Sequence, residues 1–238
     1  MNNSSINIGA AGGTTISING QNVTVNGASA AALKTYRIDE KKAAQFMNIN
    51  SIRVDSPVAN VRIKNYSAPN LICHLHGEAN LERPIKLEIS VRNHELFVLA
   101  KYNGTSVIRQ LDLEIFCPDR LLDSIFINTT SGCVDLVKRV NQISVNTASG
   151  NVFINSITNS INVNTMSGII NINADSTNMI NMNCSSMSGN IDVSTRNVGA
   201  IRLNAKTNSG MVRNLHRPSG VKEANMNISS MSGSITIR

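Results

Sequence analysis

The sequence predicts an all-β fold, a single-stranded β-helix or β-solenoid whose coils turn at Ser-Gly corners and which carries one short N-terminal helix. Three observations support this: recurring Ser-Gly pairs, an apolar register that repeats around each pair, and a composition suited to thin strand layers. The corner pairs end at Gly132, Gly150, Gly168, Gly189, Gly210 and Gly233, so the coils span 18 to 23 residues. That period is too short for a propeller blade or a sandwich and suits one coil of a solenoid.

The register is shown by the coil around Gly150. Ile143 and Val145 precede the glycine by seven and five residues, Thr147 by three, and Val152 and Ile154 follow by two and four. Alternation of this kind places one face of each strand in a core. Across the corner the inward positions are five apart, an odd number, so the chain must turn there. Glycine permits the unusual dihedrals of such a corner, and the Ser/Thr position beside it can satisfy corner backbone groups. The same offsets recur at each corner glycine except after Gly210, where Asn214 replaces an apolar residue. Outward positions form ladders, with Asn128, Asn146 and Asn164 at equivalent places.

Three regions follow in chain order. Residues 1–48 are expected to hold a hairpin, Ile16-Ser17-Ile18 and Val23-Thr24-Val25 around Asn19-Gly20, and then the helix. Asp39 would cap that helix and Glu40 to Phe46 form its body, covering the N-terminal end of the stack. Residues 49–123 read as degenerate repeats. In one, Ile52, Val54, Val61 and Ile63 keep the offsets with Ala59 in the glycine place; in another, Leu87, Ile89, Val91, Leu96 and Val98 surround His94. Residues 124–238 are the regular solenoid, continuous with the rest as one domain.

Hydrophobic residues are 41 % of the 238, but aromatics only 3 %, so the core must be filled by aliphatic side chains and Met. Charged residues are 16 %, which leaves Asn, Ser and Thr to cover the surface; these disfavour helices. The formal charge of +7 reads as a solvated surface with weak attraction for polyanions. Four cysteines are too sparse for a disulfide scaffold. No stretch reaches the length of a membrane span, and Met1-Asn2-Asn3-Ser4-Ser5 starts no secretory signal. The expected location is therefore cytoplasmic as written, and surface or secreted if a leader has been removed.

The segment Leu111-Asp112-Leu113-Glu114-Ile115-Phe116-Cys117-Pro118, followed by Ile125 to Gly132, resembles the bacterial putative-adhesin family of uncharacterised β-strand-repeat proteins. That family shows a strand ending in proline and then repeated Val-x-Thr-x-Ser-Gly-x-Val units. The resemblance covers residues 50 to 238. It implies a single-stranded β-helix-like fold and no catalytic residues.

Few constellations offer chemistry. Asp135 and Asp192 are equivalent outward acids three coils apart, about 14 Å at one coil per ~4.8 Å. A glycosidase pair stands roughly 5 to 9.5 Å apart. In Cys73-His74-Leu75-His76 the histidines share one strand face while Cys73 takes the other, which leaves two ligands where a zinc site uses three or four. No catalytic, cofactor or metal residues are therefore assigned. Cys184 falls on a core position, Cys133 faces outward, and Cys117 is structural. Arg196, Arg202, Lys206, Arg213, Arg217 and Lys222 form a basic stretch that could contact a polyanion; without aromatic platforms after Phe153, nucleic acid is disfavoured. The last coil ends at Arg238 with no residues left to cap it, which predicts a homo-oligomer through that coil.

The leading functional expectation is a non-enzymatic structural or interaction protein, adhesin-like, with a protein or glycan partner. The alternatives are a carbohydrate-binding or carbohydrate-active β-helix, and a polyanion-binding module using residues 196–222.

Overall fold

Each Ser-Gly corner joins a strand of one sheet to a strand of a second in the computed structural model, which describes residues 6–7, 14–18, 21–25, 34–81, 85–101, 106–175 and 178–238. The strands that precede the corners form a front sheet, and those that follow form a back sheet. Residues Val134–Ser149 run from the back sheet of one coil into the front sheet of the next. Successive coils pair in parallel with like upon like: Ile143 beside Ile161, Val145 beside Val163, Val152 beside Ile170. Parallel pairing of this kind is that of a solenoid and not of a row of antiparallel hairpins. The inward aliphatic residues of both sheets meet in one core, where Ile125, Ile143, Ile161, Val134 and Val152 are fully buried.

The corner glycines stack in a column. A Cβ on Gly150 would lie 2.1 Å from the carbonyl oxygen of Gly132, and one on Gly189 would lie 2.0 Å from that of Gly168. Positive φ adds a second reason for glycine at Gly168, Gly189, Gly210 and Gly233; at Gly132 and Gly150 the close approach alone excludes a side chain. Ala59 stands at the foot of the column, its carbonyl 2.3 Å from the Cβ position of Gly132, in the glycine place read from the sequence. The Ser/Thr column lies inward beside the corners. Thr165 donates to the Ser167 carbonyl at 3.1 Å, Thr207 to Gly233 at 2.9 Å and Ser230 to Gly189 at 3.3 Å. The buried hydroxyls of Thr129, Thr147 and Ser186 find no hydrogen-bond partner among the described residues.

The coils do not stack in chain order at either end. Near the C-terminus, Lys222–Ser232 lies between Ile180–Ser188 and Val198–Ser209, and Ile235–Ile237 lies between Ile191–Thr195 and Val212–Asn214. The last coil is therefore an inner one, and the expectation of an uncapped C-terminal coil is corrected. The outermost coil is the fifth, residues 198–214. The glycine column follows the same order, Gly189 to Gly233 to Gly210. A second glycine contact seals the insertion, because Gly220, in the link between the two coils, packs on the Asn197 carbonyl and Gly199 packs on that of Gly220. The composition explains the exchange. Met226, Ile228, Ile235 and Ile237 are buried, whereas the fifth coil offers Ala205 and Asn214, and its Ile201, Leu203 and Ala205 are only half buried. The coil with the weaker apolar face takes the edge.

At the other end, the coil containing Glu95–Lys101 and Ser106–Pro118 lies outside the one containing Ser51–Asp55 and Asn60–Tyr66. Beyond it the sheets turn antiparallel. Lys34–Gln45 pairs with Asn70–Leu81, which pairs with Ser106–Pro118. The expected helix after Asp39 is thus a strand, followed by a single 3₁₀ turn at Phe46–Asn48. Twelve paired residues along Asn70–Leu81, with Ile38 buried on the inner face, override the local helix propensity. The second degenerate repeat is also corrected. Lys86–Arg92 and Glu95–Lys101 form an antiparallel hairpin, and Asn93 and His94 both take positive φ, as a two-residue type I′ turn requires. Apart from this stack, Thr14–Ile18 and Gln21–Val25 pair antiparallel with Ile18 opposite Gln21, the hairpin expected there; Asn19-Gly20 lies outside the described residues.

Candidate functional site

The three antiparallel strands of the back sheet bring together a cluster of histidines and carboxylates. Alternation along Asn70–Leu81 buries Leu71, Cys73 and Leu75 and turns His74 and His76 outward. Glu114 lies opposite His74 on the neighbouring strand, and Asp112 lies opposite His76. On the other side Asp39 is in register with His76. A bulge between Ile108 and Gln110 shifts this pairing, and Gly77 permits it: φ is +144°, and a Cβ there would lie 2.1 Å from the Gln110 carbonyl oxygen.

The geometry is close-knit. His74 Nε2 lies 2.7 Å from Asp39 Oδ1, and His76 Nε2 lies 3.4 Å from Glu114 Oε2. The two imidazole rings sit 4.4 Å apart. Lys64 Nζ meets Glu114 Oε1 at 3.3 Å, and Arg62 meets Asp112 at 3.3 Å. Asn60 and Gln110 each donate to Asp112 at 3.0 Å. Burial pushes the Asp112 carboxyl up, but these two hydrogen bonds and the Arg62 charge outweigh it and hold it below the usual range. Burial likewise raises Glu114, and the Lys64 hydrogen bond, with the charges of Lys64 and His76, brings it below the usual range. The His74 hydrogen bond is the main cause that lowers Asp39. The sequence pointed to His74 and His76 as a pair on one face. It did not point to Glu114 or Asp39, which reach them through strand pairing across 38 and 35 residues.

The other residues singled out from the sequence are scattered. Arg202 and Lys206 face out from Val198–Ser209, and Arg213 lies on Val212–Asn214, so these three share the outermost coil with Arg217 just beyond. Arg202 faces Glu223 at 3.6 Å. Arg196 and Lys222 lie to the side by Asp175, which Lys222 meets at 3.9 Å. The basic stretch is therefore divided. Asp135 and Asp192 sit in one lateral row separated by Phe153 and Asn171, the spacing anticipated, and Arg238 pairs with Asp192. Burial pushes the Cys73 and Cys184 thiols up to about 12 and Cys117 up to about 11, as for inert core groups.

The front face is lined with amides. Asn128, Asn146 and Asn164 stack in register, and Asn164 donates to Asn146 at 3.1 Å. Farther along, Asn227 donates to Asn183 at 3.1 Å and Asn204 to Asn227 at 3.4 Å. Half-exposed Met166, Met187 and Met231 form a ridge on adjacent coils along this face. The ridge escaped the sequence reading because the position two before each corner glycine is not apolar in every coil. Lys138 was also missed. It is buried, donates to the Pro118 carbonyl at 2.5 Å, and burial lowers its pKa.

No curated protein matches the chain. Among solved structures, a putative cell adhesion protein from Clostridium sporogenes is 14 % identical over 85 % of this chain and 99 % of its own, with a TM-score of 0.57. Putative adhesins from Parabacteroides distasonis and Bacteroides fragilis are each 14 % identical over 87 % of this chain and cover 98 % and 99 % of their own, at TM-scores of 0.40 and 0.36. The first likeness shows a shared fold. No helix among the described residues is long and apolar enough to cross a membrane. The Toastrack DUF4097 family model matches residues 49–238, the whole coil stack, and the chain belongs to that family.

Proposed function

We propose that the chain is a non-enzymatic, adhesin-like interaction protein, a β-solenoid rod that docks a glycan through its flat front face. The Asn ladder carries this reading. Amides on successive coils spend one hydrogen bond on each other and present the remaining donors and acceptors outward at a fixed ~4.8 Å repeat. The Met166–Met187–Met231 ridge beside it offers apolar contact for sugar C–H faces. The adhesion role named for the Clostridium sporogenes protein that shares this fold supports the same class of role. Glycan-array binding tests it, followed by a variant with Asn164→Leu and Asn183→Leu. The expected result is a bound glycan class that the variant loses while its melting temperature is kept. Binding unaltered in the variant would overturn the reading.

A second copy is the partner favoured by the open edge. One side of Val198–Ser209 pairs with Lys222–Ser232, and its other side is a sheet edge that can add a strand. Arg202, Lys206 and Arg213 on that coil repel a like end, so association is expected at high salt and not at low. Light scattering across ionic strength measures it; a monomer at every salt concentration removes this partner.

A further inference from the structure

The glycan reading leaves the cluster at the antiparallel end without a role. His74 and His76 project from one strand face, and Glu114 projects from the next strand opposite His74. One ligand atom from each lies within 4.8 Å of the others. Asp39 brings a second carboxylate, 2.7 Å from His74 Nε2. Among the described residues His76 Nε2 is buried without a hydrogen-bond partner, since the Glu114 oxygen 3.4 Å away is poorly aligned with it. A buried nitrogen of this kind is costly unless something satisfies it. Its lone pair and the facing carboxylate oxygen suit a shared cation.

We propose that His74, His76 and Glu114, with Asp39 as fourth ligand, form a binding site for one divalent first-row transition ion of the Zn²⁺ class. The donor set selects the ion. Two imidazoles and carboxylates suit Zn²⁺, Co²⁺ or Ni²⁺, whereas Mg²⁺ and Ca²⁺ take mostly oxygen. Imidazole nitrogen and carboxylate oxygen bind Zn²⁺ at about 2.0–2.2 Å, which sets ligand atoms about 3.4 Å apart around a tetrahedral ion. Side-chain rotations on three paired strands can supply that contraction from the present spread. The supporting shell is in place. Lys64 holds Glu114 Oε1 and leaves Oε2 toward His76, while Arg62, Asn60 and Gln110 fix Asp112 beside it. On binding, His74 Nε2 gives up its role as hydrogen-bond partner to Asp39, and both groups turn to the ion.

The test is calorimetric titration of the full chain, stripped with a chelator, with ZnCl₂, and visible absorption with Co²⁺ as an independent signal. One ion per chain is expected, together with a raised melting temperature and Co²⁺ bands of a nitrogen–oxygen site. His76→Ala and Glu114→Gln should each weaken Zn²⁺ by at least about tenfold. His216→Ala, far along the chain, should leave it unchanged. His76→Asn serves if the alanine variant misfolds. Absence of saturable binding, a stoichiometry other than one, or full affinity in a His74→Asn/His76→Asn variant would overturn the site.

Discussion

The two ends of the stack solve one problem by different means. At both, a coil is placed out of chain order, and at both the last parallel coil would leave an edge. The antiparallel end is extended: Lys34–Gln45 and Asn70–Leu81 lengthen the back sheet and the hairpin at Asn93-His94 the front one, which moves the edges to the charge-rich strands Lys34–Gln45 and Lys86–Arg92. Its charges are paired across strands, Arg53 with Glu95, Arg62 with Asp112, and Lys64 with Glu114. The opposite end stops at Val198–Asn214 and relies on exposed Arg202, Lys206 and Arg213. Each end thus keeps an edge lined with charged residues; one edge is antiparallel and the other parallel.

The largest test of this contrast is steric. Gly189→Ala sets a Cβ 2.0 Å from the Gly168 carbonyl, between coils fixed on both sides, and should cost about 4 kcal/mol or more. Gly210→Ala meets a similar clash, 2.2 Å from Gly233, at nearly the same φ, but its coil can move outward, so about 1–2 kcal/mol is expected. Urea denaturation of both variants gives the ranking, and equal losses would show the outer coil to be as rigid as the inner ones. Next comes charge. Arg62→Met leaves buried Asp112 without its cation and should cost about 1–3 kcal/mol, while Arg213→Met should stay within about 0.5 kcal/mol. A Arg202→Thr/Lys206→Thr chain should barely change in stability yet elute as larger species at low salt, where the parent chain does not. The smallest effect is acid. Asp112 and Glu114 have folded pKa values below their ordinary 3.8 and 4.5, so their contribution is present above those values and lost as pH falls through the lowered ones. Hydrogen exchange on lowering the pH through that window should open residues 60–66 and 106–118 before 180–195; the reverse order would contradict the pairing.

The middle of the molecule was legible because its contacts are local in pattern. Ile143, Val145, Val152 and Ile154 announce themselves by period two, and Gly150 marks the turn between them. Ala59 could be read by the same offsets although it is not glycine. The ends were not legible, because what decides them lies far along the chain. Asp39 to Gln45 is a fair helix sequence until Asn70–Leu81 pairs with it. Asn93-His94 held a hairpin clue in the tolerance of Asn for positive φ. Asn214 and the cluster of basic residues marked the fifth coil as unfit for the interior, but no local signal says that a later coil moves inside it. The cluster divides the same way: His74 and His76 are two apart in sequence, while Glu114 and Asp39 arrive only with the strand register.

Swapped coils at residues 198–237 also govern the path by which the molecule assembles. A ribbon wound in synthesis order could grow one turn at a time, each new turn laid on a finished template. Here the turn made first gains its final pairing only with the later one, and among the described strands it pairs with nothing else. Residues 222–237 thus act as a bolt. Loosening them would release two turns at once, so this region is expected to come apart as a single cooperative unit.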